Sequence, residues 1–338
     1  AVPGPDVGER RTWIYETDVD HPTYTLVVGG AEMVIDTVGL AACGNAPASP
    51  RADGCVAVTT WLFPESAEVG AASFRRAAEM VDVFTDLIGP FPYEKLAHVQ
   101  SSTRFGGMEN SSAIFYSERA LSSGRNIEGT VSHEIVHQWF GDAVTEADWR
   151  HLWLSEGFAT YFGDQFFEAA DGVDAFRQRM ERSRRAYLSS EDVHRPMVVD
   201  EARDLFALLN RNNYQKGGWV LHMLRSVMGD EAFFRGIRSY YARFVHGTAL
   251  TEDFVEVMEE AHGSELGWFF RQWVFEPGYP VLDVEWEWDA PAGEVVLTLR
   301  QEQPDEWPTF RVPWDVELRL EGAAVRRRVE VQRRHEVV

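Results

Sequence analysis

GTVSHEIVHQWFGD, residues 129–142, sets two histidines four positions apart, His133 and His137, with Glu134 directly after the first. Apolar neighbours Val131, Ile135, Val136, Trp139 and Phe140 predict a buried helix that stops at Gly141. Residues four apart share a helix face, so both imidazoles can address one ion. Glu134 stands one step round the helix, within reach of a water on that ion. The HExxH pattern alone turns up by chance in on the order of one in a hundred chains of this length, so a third ligand has to decide. Glu156 supplies it, nineteen positions after His137 in WLSEGFATYF, residues 153–162. Its apolar neighbours predict a buried helix, where a bare carboxylate needs a partner.

Two neutral imidazoles and one carboxylate leave a fourth position for water, the catalytic arrangement of zinc. Calcium and magnesium want oxygen ligands. The expectation is one Zn2+ per chain on His133, His137 and Glu156. A zinc-bound water has a pKa of about 7, and Glu134 is placed to take its proton and pass it to a leaving nitrogen. The carbonyl oxygen becomes an oxyanion, for which a second donor would help.

Outward from this centre the texture changes twice. Residues 1–67 read as β structure, with RTWIYETDV, TYTLVVGGAEMVIDTV and CVAVTTWLFP as strands. Three such strands bury too little to stand alone. From about Gly70 helical spacing dominates, beginning with AASFRRAAEMVDVFTDLIG and running to Phe275; HVQSST and SAIFYSE bracket a glycine-rich turn within it. After EPGYP, the segments VLDVEWEWD, EVVLTLRQEQ and VPWDVELRLE alternate as antiparallel strands do. An α+β chain is expected, divided into 1–67, 68–277 and 278–338.

Composition narrows the partners. The 338 residues are 45% hydrophobic, and no apolar run approaches the roughly 20 residues of a membrane span. A net charge of −22 repels phosphate backbones, which argues against nucleic acid. Lys95 and Lys216 are the only lysines. AVPGPDVGERR lacks the layout of a signal peptide. Cys43 and Cys55 flank GNAPASPRADG, and a disulfide closing that loop adds about 3 kcal/mol. Such a bond points to a periplasmic or secreted location, with the cytoplasm as the alternative.

Beyond the zinc pattern the sequence resembles the aminopeptidase N-like family of gluzincins. HEIVHQWFGD, WLSEGFATYF, FGGMEN at 105–110 and NYQKGG at 213–218 carry the likeness, supported by PFPYEKLAHVQ and GSELGWFFRQWVFEPGYPVLDV. The resemblance implies a thermolysin-like, mostly helical zinc domain between a remnant of a β saddle and a β-sandwich. It implies an aminopeptidase that releases single residues from peptides with a free N-terminus. GGMEN matches the family's exopeptidase motif, usually GAMEN, with Gly107 in place of alanine. Glu109 is then expected to bind the substrate's α-amine, Gly106 and Gly107 to run along its backbone, and Met108 to line the first side-chain pocket. Tyr214 matches the tyrosine that hydrogen-bonds the oxyanion. Asn110, Lys216, Trp139 and Phe140 read as supports, and Thr160 as a group that orients a ligand. Residues 1–67 match only the end of the family's long first domain, and the chain stops within the third, so a fragment of a longer protein is expected. An endopeptidase of the thermolysin kind shares the ligands but lacks a counterpart of Glu109.

Overall fold

The computed structural model describes residues 2–5, 8, 11–320 and 323–338. The chain forms two compact units, residues 1–145 with 241–248, and residues 146–240 with 249–338.

In the first unit a mixed five-stranded sheet is built from Val34–Ala41 (β1), Val56–Leu62 (β2), Leu96–Ser101 (β3), Gly107–Met108 (β4) and Ala113–Ser117 (β5). Its order is β1-β2-β3-β5-β4. β2, β3 and β5 run parallel, while β1 and β4 close the two edges antiparallel. β3 is buried along almost its whole length, as expected of a central strand covered on both faces. Helices Ala77–Leu87 (α1) and Glu128–His137 (α2) pack within this unit. Trp139 anchors that packing, with Phe84 and Phe91 edge-on to its ring and its indole N–H donated to the Gly89 carbonyl at 2.9 Å. Cys43 and Cys55 are disulfide-bonded.

The second unit holds Trp153–Asp171 (α3), Val173–Leu188 (α4), Gly217–Met228 (α5), most of Asp230–Phe244 (α6) and Thr251–His262 (α7). Its aromatic core joins Trp153, Phe158, Phe162, Tyr240, Phe254 and Phe270 through ring contacts. Buried rings of this size dominate the energetics of such a core. Two antiparallel sheets follow. Leu282–Asp289 (β6), Glu294–Gln301 (β7) and His335–Val337 (β10) form one, and Val312–Leu320 (β8) with Ala323–Val331 (β9) form the other.

The α+β expectation holds, and three local readings need correction. Of RTWIYETDV only Trp13–Ile14 is a strand, paired with Val2–Pro3. Of TYTLVVGGAEMVIDTV, Thr23–Thr25 is a 3-10 turn and only the second half is extended. The parts that form no ladder leave apolar side chains in solvent, with Tyr15 80% and Val28 98% exposed, so no packing there rewards an extended conformation. The HExxH helix ends at His137 rather than Gly141. The amides of Gln138 and Trp139 bond three residues back, to Ile135 and Val136, and tighten the last turn. Gly141 then takes φ +116, which only glycine adopts without strain.

Candidate active site

Helix α2 sets its histidines as the four-residue spacing requires: the two Nε2 atoms are 3.1 Å apart. Nδ1 of His137 lies 3.0 Å from the Phe140 carbonyl. A carbonyl only accepts, so Nδ1 donates to it, and in a neutral imidazole Nε2 is then the nitrogen that offers a lone pair. A hydrogen bond on the far nitrogen is the usual device for orienting a metal-binding imidazole. Two nitrogens about 2.0–2.1 Å from a tetrahedral zinc stand roughly 3.3 Å apart, so the pair is already spaced for such an ion. His133 and His137 stand on α2 of the first unit, and Glu156 on α3 of the second. The donor set fits zinc: nitrogen-rich, with one carboxylate.

Glu156 occupies the first turn of α3 and is buried. The Tyr214 hydroxyl donates to its Oε1 at 2.5 Å. Tyr214 lies in a π-helical turn, Asn212–Lys216, that runs directly into α5. Widened turns of this kind concentrate at functional sites. Asn212 and Asn213 pin the turn through their side-chain amides, to the Asp192 and Leu208 carbonyls at 2.8 and 2.7 Å.

Glu109, Glu134 and His137 form a second group with ligand atoms within 4.8 Å. Glu109 follows β4, the edge strand, and the glycine at 107 makes its closeness to α2 possible. A Cβ on Gly107 would lie 2.3 Å from Oε1 of Glu134. Gly106 is exposed, Met108 half-buried, and their strand pairs with β5 through Gly107↔Tyr116 and Met108↔Phe115. Asn110 donates to the Thr25 carbonyl at 2.9 Å.

Several residues that hold this arrangement do not announce themselves in the sequence. Fully buried Gln138 accepts from the Ser112 amide at 2.7 Å and donates to the Glu109 carbonyl at 3.2 Å and to Asp142 Oδ2 at 2.9 Å. It ties the turn after β4 to the end of α2. Burial, and next the Glu109 charge, push the Asp142 carboxyl well above its ordinary range. His98 meets the Tyr116 hydroxyl at 3.0 Å, and burial lowers its pKa to about 3, so it stays neutral. Lys216, which the sequence did mark as a support, is buried with its pKa lowered by burial to about 7, its Nζ donated to the Glu276 carbonyl at 3.3 Å. The one signal for Gln138 and Asp142 was polarity inside an apolar run.

An HExxH helix packed on a mixed five-stranded sheet is the frame of a metallopeptidase. The Peptidase family M1 domain matches residues 73–273, more than half of the chain, and the chain belongs to this family. Aminopeptidase M1-B of Oryza sativa subsp. japonica is 31% identical over 221 residues, which cover 61% of this chain and 25% of the relative. The fold matches Legionella pneumophila aminopeptidase A, solved in complex with aspartic acid, at a TM-score of 0.71 and 18% identity, over 90% of this chain and 35% of the other. A mutant M1 zinc metallopeptidase of Deinococcus radiodurans, bound to a Tyr-Ser-Ala substrate, matches at 0.59 and 26% identity, over 76% of this chain and 55% of the other. The chain spans about a quarter of the length of the curated relatives it matches first.

Proposed function

We propose that this chain carries the active site of a zinc-dependent aminopeptidase, which releases single residues from peptides with a free N-terminus. The observation that carries the reading is the Glu109–Glu134–His137 group. An endopeptidase needs the base and the metal ligands but has no use for a further carboxylate beside them. A carboxylate there pairs with an α-ammonium and counts off one residue.

In this reading His133, His137 and Glu156 hold one zinc, which when bound supplies Lewis acidity toward a water and the scissile carbonyl. Glu134 accepts the proton of the attacking water and delivers it to the departing amine. The Tyr214 hydroxyl donates to the oxygen on which negative charge develops. Gly106, Gly107 and Met108 offer the free side of an edge strand, which an extended peptide can extend by backbone hydrogen bonds. Met108 lines the pocket for the first side chain. The tripeptide substrate of the Deinococcus relative has the chemistry this arrangement would accept.

We also retain the division into 1–67, 68–277 and 278–338, supported by the change from helix to strand between Phe275 and Leu282. No helix among the described residues is long and apolar enough to cross a membrane. The Cys43–Cys55 bond supports an oxidising compartment, periplasmic or extracellular.

The test is hydrolysis of alanyl- and leucyl-p-nitroanilide beside their N-acetylated forms, with and without a zinc chelator. Chelator-sensitive release from the free amines alone is expected. Equal release from blocked and free substrates would overturn the exopeptidase reading, and release indifferent to the chelator would overturn the zinc. Glu109→Ala is expected to lower kcat/KM for free-amine substrates roughly 10- to 100-fold, the worth of one charged hydrogen bond, and so to narrow the preference for free over blocked substrates.

A further inference from the structure

Glu156 and Tyr214 belong to two elements that meet with no side chain between them. Gly157 directly follows Glu156 in α3, and Gly217 opens α5 at the end of the Tyr214 turn. A Cβ on Gly217 would lie 2.8 Å from the Gly157 Cα. One on Gly157 would lie 2.9 Å from the Gly217 Cα, 3.0 Å from its carbonyl carbon and 3.2 Å from the Asn213 carbonyl oxygen. Every one of these obstacles is backbone, so no rotamer change relieves them. A methyl on either glycine requires one element to retreat from the other. Gly218 continues the seam more loosely, its Cβ falling 3.2 Å from Thr160 Cγ2, a side-chain atom.

The Tyr214 turn has little freedom to absorb such a shift. Asn212, Asn213 and Lys216 hold it through hydrogen bonds to the Asp192, Leu208 and Glu276 carbonyls. Glycine inside a helix is also unfavourable by about 0.5–1 kcal/mol relative to alanine. Gly157 therefore weakens α3 locally, and the close approach is what it provides in return.

We infer that Gly157 and Gly217 are positioning residues for the reaction: their backbone contact sets the reach of the Tyr214 hydroxyl to Glu156. This rests on the proposed roles of Glu156 as zinc ligand and Tyr214 as oxyanion donor. Catalytic groups must be held within about 0.5 Å of their productive geometry. Relieving the Gly217 methyl means moving from 2.8 Å to the ordinary contact distance of 3.4 Å. That 0.6 Å displacement exceeds the tolerance and falls on the hydroxyl rather than on the imidazoles of α2.

The experiment compares Gly217→Ala, Tyr214→Phe and the double variant in kcat, KM and zinc content. Gly217→Ala is expected to lower kcat 10- to 100-fold with KM changed less than threefold. The double variant is expected to be no worse than Tyr214→Phe alone. Losses that multiply, or an unchanged kcat in Gly217→Ala, would reduce the glycines to packing. Should Gly217→Ala not fold, Gly218→Ala strains the same seam mildly. Its expected two- to fivefold loss of kcat should be restored by Thr160→Ser, which removes the opposing methyl; no loss, or no restoration, overturns the inference. Crystal structures of metal-free wild type and Gly217→Ala read the Tyr214 Oη to Glu156 Oε1 separation without any turnover. A lengthening of about 0.6 Å supports the inference, and an unchanged separation sinks it even if the protein has no aminopeptidase activity.

Discussion

The turn after β4 and the Tyr214 turn meet their neighbouring helices in different ways. The first is tied by polarity: a single buried amide, Gln138, bonds the Ser112 amide, the Glu109 carbonyl and the Asp142 carboxyl. The second has amide ties of its own, from Asn212 and Asn213, but its distance from α3 is set by the absence of side chains, Gly157 against Gly217. A hydrogen-bonded tie tolerates small changes of volume and fails when polarity is removed. A glycine seam does the reverse. Polar and steric substitutions should therefore fail in different places although both regions serve one reaction.

That contrast concerns what holds the reacting groups, and it presumes that Glu134 itself does chemistry. Glu134→Gln keeps the volume and most of the polarity, so a strut would survive it. The proposed base would not: kcat should fall at least 10³-fold, within the range general acid–base catalysis supplies, while zinc content by metal analysis stays near one per chain. A loss under tenfold would move Glu134 to the structural side of the comparison.

Gln138→Met tests the polar tie directly. The side chains are close in volume, so packing changes little, but the Ser112 amide, the Glu109 carbonyl and the Asp142 carboxyl each lose a partner. Each orphaned buried group costs about 1–3 kcal/mol. The expected destabilisation for the three is about 3–9 kcal/mol by urea titration, with KM for free-amine substrates rising as Glu109 loosens. Stability within 1 kcal/mol of wild type would mean that the turn holds itself.

Lys216 supplies a pH-dependent probe of the other region. Burial lowers its pKa to about 7, whereas in the unfolded chain it is about 10.4. Between these values the unfolded state binds a proton that the folded state does not. Stability therefore rises with pH across that window, and below about 7 this contribution to the slope disappears. Lys216→Met removes the lysine's share of that slope, so the urea midpoint of wild type should gain on the variant's between pH 7 and 9.5. Parallel midpoints would show that the lysine reaches water.

How much of this was legible depended on whether a residue acts through its chemistry or through its surroundings. His133, Glu134 and His137 could be read because spacing on a helix fixes direction before any tertiary structure is known, and Glu156 because a carboxylate inside an apolar helical run needs a partner. The oxyanion role proposed for Tyr214 came only through the family likeness, since a tyrosine ahead of a helix is ordinarily a packing residue. Gly157 and Gly217 look like weak points in helical patterns, and only the approach of a second backbone gives them a reason. The strands expected before Thr25 failed for the same cause in reverse. Alternating apolar residues such as Tyr15 predict a covered face, and the structure leaves that residue in solvent. Local pattern records what a segment can bury, while the partner that would bury it is a long-range fact.

Gly107 is the smallest and most discriminating test, because it is a glycine in the region held by polarity. By its neighbours it should behave unlike Gly217. An added Cβ meets Oε1 of Glu134 at 2.3 Å, Cδ at 2.4 Å and Cγ at 2.6 Å, all of them side-chain atoms. A carboxylate arm can swing about its own torsions where a helix backbone cannot. The family motif that FGGMEN resembles ordinarily has alanine at this position, so an arrangement with the methyl in place is workable. Gly107→Ala should therefore displace the Glu134 carboxylate by about 1 Å in a crystal structure, the distance needed to reach a 3.4 Å contact. Its kcat should fall less than tenfold, with stability unchanged. A loss as large as that of Gly217→Ala would show that Glu134 has no second position, and that the two regions are constrained by volume alike.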